Sequence, residues 1–166
     1  MIGEPDLIAT ASQTVGPFFH VGLRPAHGRP PVGDRGRDRI RLVVRIVDGD
    51  GQPLDDALVE FWEGGAQGDG VECGRMSTDP AGTCELDVAR PRRHLNLCIF
   101  ARGLLRQLYT RVYFPSHRTS PSDAVLSLVP AERRETLMAR PDGTAAERWL
   151  FEIHLQGPQE TVFFDR

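Results

Sequence analysis

The chain of 166 residues contains no lysine, so every basic side chain apart from histidine is an arginine. We read this as a coding bias rather than as a functional signature. An excess of positive charge is also missing. The net charge is −3, which argues against a nucleic-acid partner, because such partners select a basic footprint. No apolar run approaches the length that crosses a bilayer, so no membrane partner is expected. The opening MIGEPDLIATASQT lacks a basic segment followed by an apolar one, so no signal peptide is expected. Cysteine is scarce. Cys73, Cys84 and Cys98 are odd in number and have no CxxC spacing, so they are expected to be reduced structural thiols rather than a zinc site. A cytoplasmic location follows as the expectation.

Catalytic patterns are equally sparse. There is no GxSxG elbow, and no cysteine lies beside a recognisable histidine. The histidines at 20, 27, 94, 117 and 154 show neither HxH nor HExxH spacing, so no self-contained metal site is expected. The glycine-rich stretch 64–75, GGAQGDGVECGR, lacks the context of a phosphate loop and reads as an irregular connection.

What is present is a succession of short strand-like segments. Residues 1–39, rich in Gly, Pro and Arg and without period, read as an extended N-terminal arm. Residues 40–166 read as one domain. IRLVVRIVD (40–48) is a β-branched run stopped by DGDG, and ALVEFWE (57–63) and TCELDVA (83–89) follow. HLNLCIFAR (94–102) and QLYTRVYF (107–114) predict a hairpin around Gly103. PAERRETLMAR (130–140) begins with proline and continues with helix formers, which predicts a helix. ERWLFEIHLQG (147–157) turns Trp149, Phe151, Ile153 and Leu155 to one face and His154 outward, and TVFF (161–164) closes the chain. Six or seven strands with one late helix predict an all-β fold, an antiparallel β-sandwich.

One strand stands out. Alternation in HLNLCIFAR buries Leu95, Leu97, Ile99 and Ala101 and sets His94, Asn96, Cys98, Phe100 and Arg102 on the opposite face. A His-x-His pair there would suit a metal, but the second imidazole is replaced by the amide of Asn96. The residues alone leave open a satisfied polar edge or an interface.

Several segments occur in one order: SQTVGPFF (12–19), DGDGQPLDDALVEFWE (48–63), FARG (100–103), RVYF (111–114), RRETLMA (133–139) and QETVFFD (159–165). From about residue 9 onward the chain thereby resembles the intradiol aromatic-ring-cleaving dioxygenases. SQTxGPF and ExW are similar to the wider family. FARG, RRETL and ETVFFD resemble the alpha chains of those members that are built from two kinds of chain.

The resemblance implies a β-sandwich shared by both chains, with Fe(III) held in the beta chain by two tyrosines and an HxH pair. Here His94 matches the first histidine and Asn96 stands at the second. No tyrosine lies between Trp62 and His94, and the only two, Tyr109 and Tyr113, come after it. His94 and Asn96 are thus implied to be degenerate metal-site positions, with Fe(III) bound by the partner beta subunit and not by this chain. The implied partner is that beta subunit in an alpha/beta hetero-oligomer, with a small aromatic substrate at the shared interface. The substrate-binding positions implied on this side are Thr14, Gly16, Pro17 and Arg102, the arginine orienting an anionic aromatic acid or else pairing across the interface. The chain is shorter than such alpha chains, mainly between EFWE and HLNL. The alternative reading is a metal-free β-sandwich binding module of intradiol or transthyretin-like type.

Overall fold

The computed structural model describes residues 10–16, 18–23, 38–63, 72–115 and 123–165, with the side chains of residues 20 and 21 excepted. Its strands are β1 (Arg39–Val47), β2 (Leu58–Glu63), β3 (Cys73–Ser77), β4 (Thr83–Ala89), β5 (His94–Phe100), β6 (Leu108–Tyr113), β7 (Arg140–Pro141) and β8 (Arg148–His154). Two short α-helices, α1 (Phe19–Leu23) and α2 (Ala124–Leu128), and a 3-10 helix (Ala131–Leu137) complete it. The strands form two four-stranded sheets, β4-β1-β8-β7 and β3-β2-β5-β6.

The sandwich follows from alternation. Ile40, Leu42, Val44 and Ile46 of β1 turn inward beside Leu86 and Val88 of β4 and Trp149, Phe151 and Ile153 of β8. The other sheet supplies Val59, Phe61, Leu95, Leu97, Ile99 and Val112. Each such side chain, fully buried, contributes about 1.5–3 kcal/mol of hydrophobic stabilisation. Phe114 and Trp149 join the layers edge to face, with ring centroids 5.4 Å apart. A polar tie crosses the same boundary: the Glu72 carboxylate, 3% exposed, accepts from Arg39 at 3.0 Å and from the Ala89 amide. None of the three cysteines forms a disulfide, and burial pushes the Cys84 thiol up to about 12, leaving it unreactive at neutral pH. No helix among the described residues is long and apolar enough to cross a membrane.

The expected all-β sandwich is borne out, and several of its details are corrected. The sandwich is not wholly antiparallel: β1 pairs with β8 in parallel, from Arg41 opposite Arg148 to Val47 opposite His154. The segment 64–75 ends in a strand, since β3 begins at Cys73. Its glycine hid it, yet that glycine is required: a Cβ on Gly74 would lie 2.6 Å from the Phe61 ring. The helix expected at 130–140 is a 3-10 helix over Ala131–Leu137, and the short α2 precedes it. Arg134 bonds the carbonyls of Val129 (2.8 Å) and Ser127 (3.1 Å), and Arg133 bonds that of Glu160 (2.7 Å), so arginine side chains hold the tight turn in place. Residues 161–164 form no strand, although the Phe164 amide bonds the Tyr109 carbonyl at 2.8 Å. Of the arm, residues 19–23 are helical rather than extended.

Candidate functional site

The outer face of β3-β2-β5-β6 carries the polar residues. Register places Asn96 between Trp62 and Arg111, Cys98 between Glu60 and Tyr109, and His94 beside Tyr113. At the β6 edge this face is roofed by a second small core of Tyr113, Val129 and Leu137, with Leu126, Met138, Val162 and Phe164 packed against it. His94 is therefore only 5% exposed although it faces away from the main core.

Asp123 lies at the rim of that roof. Its carboxylate caps α2, accepting from the amides of Val125 and Leu126 at 3.0 Å each. It also lies 3.5 Å from His94 Nδ1 and 3.7 Å from Arg111 Nη1. The Arg111 guanidinium stacks 5.6 Å over the Phe164 ring. Burial pushes the His94 imidazole below its ordinary range; Arg111 acts the same way while Asp123 opposes it. Burial alone would raise the Asp123 carboxyl, but the Leu126 amide and the cationic side of the cluster hold it below the usual carboxylate range. The cluster thus holds a neutral imidazole beside an ionised, paired carboxylate.

These residues do not fit Fe(III). Ferric iron needs several hard anionic donors, whereas the site offers one imidazole, one amide, and a carboxylate already engaged by α2 and Arg111. Burial raises the Tyr113 phenol and keeps it protonated. Arg111 adds a fixed positive charge where a cation would have to enter. Among the described residues no three His, Cys, Asp or Glu side chains are grouped so as to hold a metal ion.

A second site lies at the other end of β5. Arg102 is eight residues beyond His94, and the strand His94–Phe100 between them alone spans about 20 Å at the rise of an extended strand. The strand itself stops at Phe100, so the expected run to residue 102 is corrected: Arg102 sits in the turn that follows. Leu58 is opposite Phe100 in register, and two residues further out Asp56 meets Arg102. Arg102 Nε donates to Asp56 Oδ2; the arginine side chain is 55% exposed and the aspartate 16%.

The next residue, Gly103, has φ +87°, a conformation that favours glycine. Its amide donates to Thr14 Oγ1 at 2.7 Å. The structure therefore brings Thr14 to the Arg102 turn, 89 residues away in sequence, and separates both from His94 and Asn96. Gly16 is exposed, with open space around its Cα, and its carbonyl accepts from Phe19 at 3.2 Å. Pro17 lies outside the described residues.

Sequence reasoning missed Asp56, Arg111 and Asp123. The last carries a legible signal, an aspartate directly before AVLSL at a helix start. The other two depend on pairing between strands.

No family model matches the chain. Among solved structures it is similar to the dioxygenase domain of a dioxygenase carbohydrate-binding protein fusion from Streptomyces sp. SirexAA-E. The TM-score is 0.55 at 19% identity, covering 92% of this chain and 100% of that one. It is also similar to 3-chlorocatechol 1,2-dioxygenase from Rhodococcus opacus, with TM-score 0.54 at 18% identity, covering 92% of this chain and 69% of that one. The fold is thereby that of the intradiol ring-cleavage dioxygenases.

Sequence relatives are more specific. The protocatechuate 3,4-dioxygenase alpha chain of Burkholderia cepacia is 34% identical over 190 residues, covering 94% of this chain and 96% of the relative. That of Pseudomonas putida is 33% identical over 194 residues, with the same coverage. The chain belongs to the family of protocatechuate 3,4-dioxygenase alpha chains. An alignment longer than the chain itself means that these relatives carry residues it lacks.

Proposed function

We propose that this chain is the non-iron-binding alpha subunit of a protocatechuate 3,4-dioxygenase. With an Fe(III)-binding beta subunit it would cleave protocatechuate between its two hydroxyls, using O2, to give 3-carboxy-cis,cis-muconate. The ring-opening chemistry belongs to the partner's iron. This chain contributes one wall of the shared pocket, through Thr14, Gly16, Pro17 and Arg102, and a fixed positive charge. The protein works in the cytoplasm.

The observation that carries this reading is the separation of two sites. The His94 cluster is internally neutralised and offers no ferric donor set. Arg102 is anchored, exposed and tied to the N-terminal segment through the Gly103–Thr14 hydrogen bond. A guanidinium so held suits a planar carboxylate, which it can bind in a fork.

The test uses the chain co-assembled with a beta chain carrying two tyrosines and an HxH pair. Arg102→Ala should raise KM for protocatechuate by about tenfold, the lower end of what a charge-assisted hydrogen bond supports, because the site is half exposed. Iron content should stay unchanged. An unchanged KM in an intact, iron-replete complex removes Arg102 from the substrate site. Loosened association with normal KM assigns it to the interface instead.

A further inference from the structure

We propose that Asp56 is a positioning residue for the substrate carboxylate, acting through Arg102. The inference rests on the reading of Arg102 given above and adds the residue that makes that arginine directional.

Three observations support it. First, the Asp56 side chain is only 16% exposed, and Arg102 is its sole charged partner among the described residues. A carboxylate shielded this far has to be paired, so the contact is more than a chance surface pair. Second, the contact is made at Nε, on one edge of the guanidinium. Arginine presents two edges to planar acids, and engagement at Nε leaves the end formed by Nη1 and Nη2 open, on a side chain 55% exposed. Third, the turn is held from both sides: Asp56 grips the side chain of residue 102, and Thr14 grips the amide of residue 103 at 2.7 Å.

The origin of the placement is simple. Antiparallel register pairs residues whose numbers sum to 158, as for Leu58 and Phe100, and Asp56 and Arg102 have the same sum. The register thus brings Asp56 and Arg102 together just beyond the paired ends of β2 and β5. The arginine, with four rotatable side-chain bonds, would otherwise sample many directions before meeting a ligand.

The sign of the effect separates positioning from simple charge. Removing the negative charge of Asp56 would by itself favour an anionic ligand, so a weakened affinity reports lost orientation.

The experiment uses the assembled alpha/beta complex, with Asp56→Ala, Arg102→Ala and the double variant, assayed on protocatechuate and on catechol, which lacks the carboxylate. Asp56→Ala should raise KM for protocatechuate about five- to tenfold, as expected for loss of one orienting hydrogen bond. Its kcat should stay within about twofold, KM for catechol should not change, and the double variant should be no worse than Arg102→Ala. Asp56→Ser, suited to a turn but too short to reach the guanidinium, provides the same readout if the alanine variant fails to assemble. An unchanged or lowered KM for protocatechuate in the Asp56 variants, while Arg102→Ala raises it, overturns the inference and leaves the reading of Arg102 standing. An equal rise on both substrates also overturns it, because a distorted pocket would not discriminate. If Arg102→Ala is itself without effect, the underlying reading falls and the inference with it.

Discussion

Asp123 combines two roles that substitution can separate. As the N-cap of α2 it accepts two backbone amides at 3.0 Å, and as a charge it faces Arg111 at 3.7 Å and His94 at 3.5 Å. Losing the cap by Asp123→Ala should cost about 1 kcal/mol. The charge contributes less: Arg111 is 25% exposed, the contact is long, and pairs of that kind contribute at most about 1 kcal/mol. Asp123→Asn keeps an oxygen for the amides and loses only the charge, so it should cost roughly half as much as the alanine variant. The assay is urea unfolding at fixed protein concentration, followed by the fluorescence of Trp62 and Trp149. A difference of 1 kcal/mol also moves the melting temperature by about 2–4 °C in a chain of this size. Equal costs for Asn and Ala would refute the capping role, and no cost for either would refute both roles.

Further outcomes follow from the same structure. The folded pKa of His94 is lowered from its ordinary 6.5, so the unfolded chain binds this proton more readily and stability falls as pH drops below about 6.5. His94→Gln should flatten that part of the stability profile, and a profile unchanged between wild type and variant would contradict the burial argument. Asp123, also lowered, contributes stability above its unfolded value near 4 that is lost on further acidification. Glu72→Ala strands the Ala89 amide and leaves Arg39 paired with Asp87 alone, and should cost about 2–3 kcal/mol in urea unfolding, with Glu72→Gln recovering part of it. Leu97, fully buried at the centre of β5, should cost about 2–5 kcal/mol on replacement by alanine. A smaller loss would mean that the core collapses around the gap.

Much of this architecture is legible in the sequence where one physical effect dominates. The β-branched run of β1 ends at DGDG, and β8 alternates Trp149, Phe151 and Ile153 inward, because burial alone sets their period. The legible part ends where two effects compete. β3 was hidden because Gly74, poor in strand propensity, is there to let the Phe61 ring pass. The parallel pairing of β1 with β8 joins the two ends of the domain and leaves no local mark. The candidate site divides in the same way. His94 and Asn96 stand out by their spacing, and Arg102 through FARG. The partner of Arg102, however, is set by the register of β2 against β5, which are not consecutive strands. Asp123 and Arg111 acquire meaning only once the roof of α2 and the C-terminal segment closes over β6.

The most direct test of the central claim is the iron content of this chain purified alone, with the visible spectrum recorded on the same sample. The account predicts no stoichiometric iron and no phenolate-to-iron absorption, because His94 and Asn96 face a guanidinium–carboxylate pair instead of a ferric donor set. Iron near one per chain, accompanied by that absorption, would contradict it.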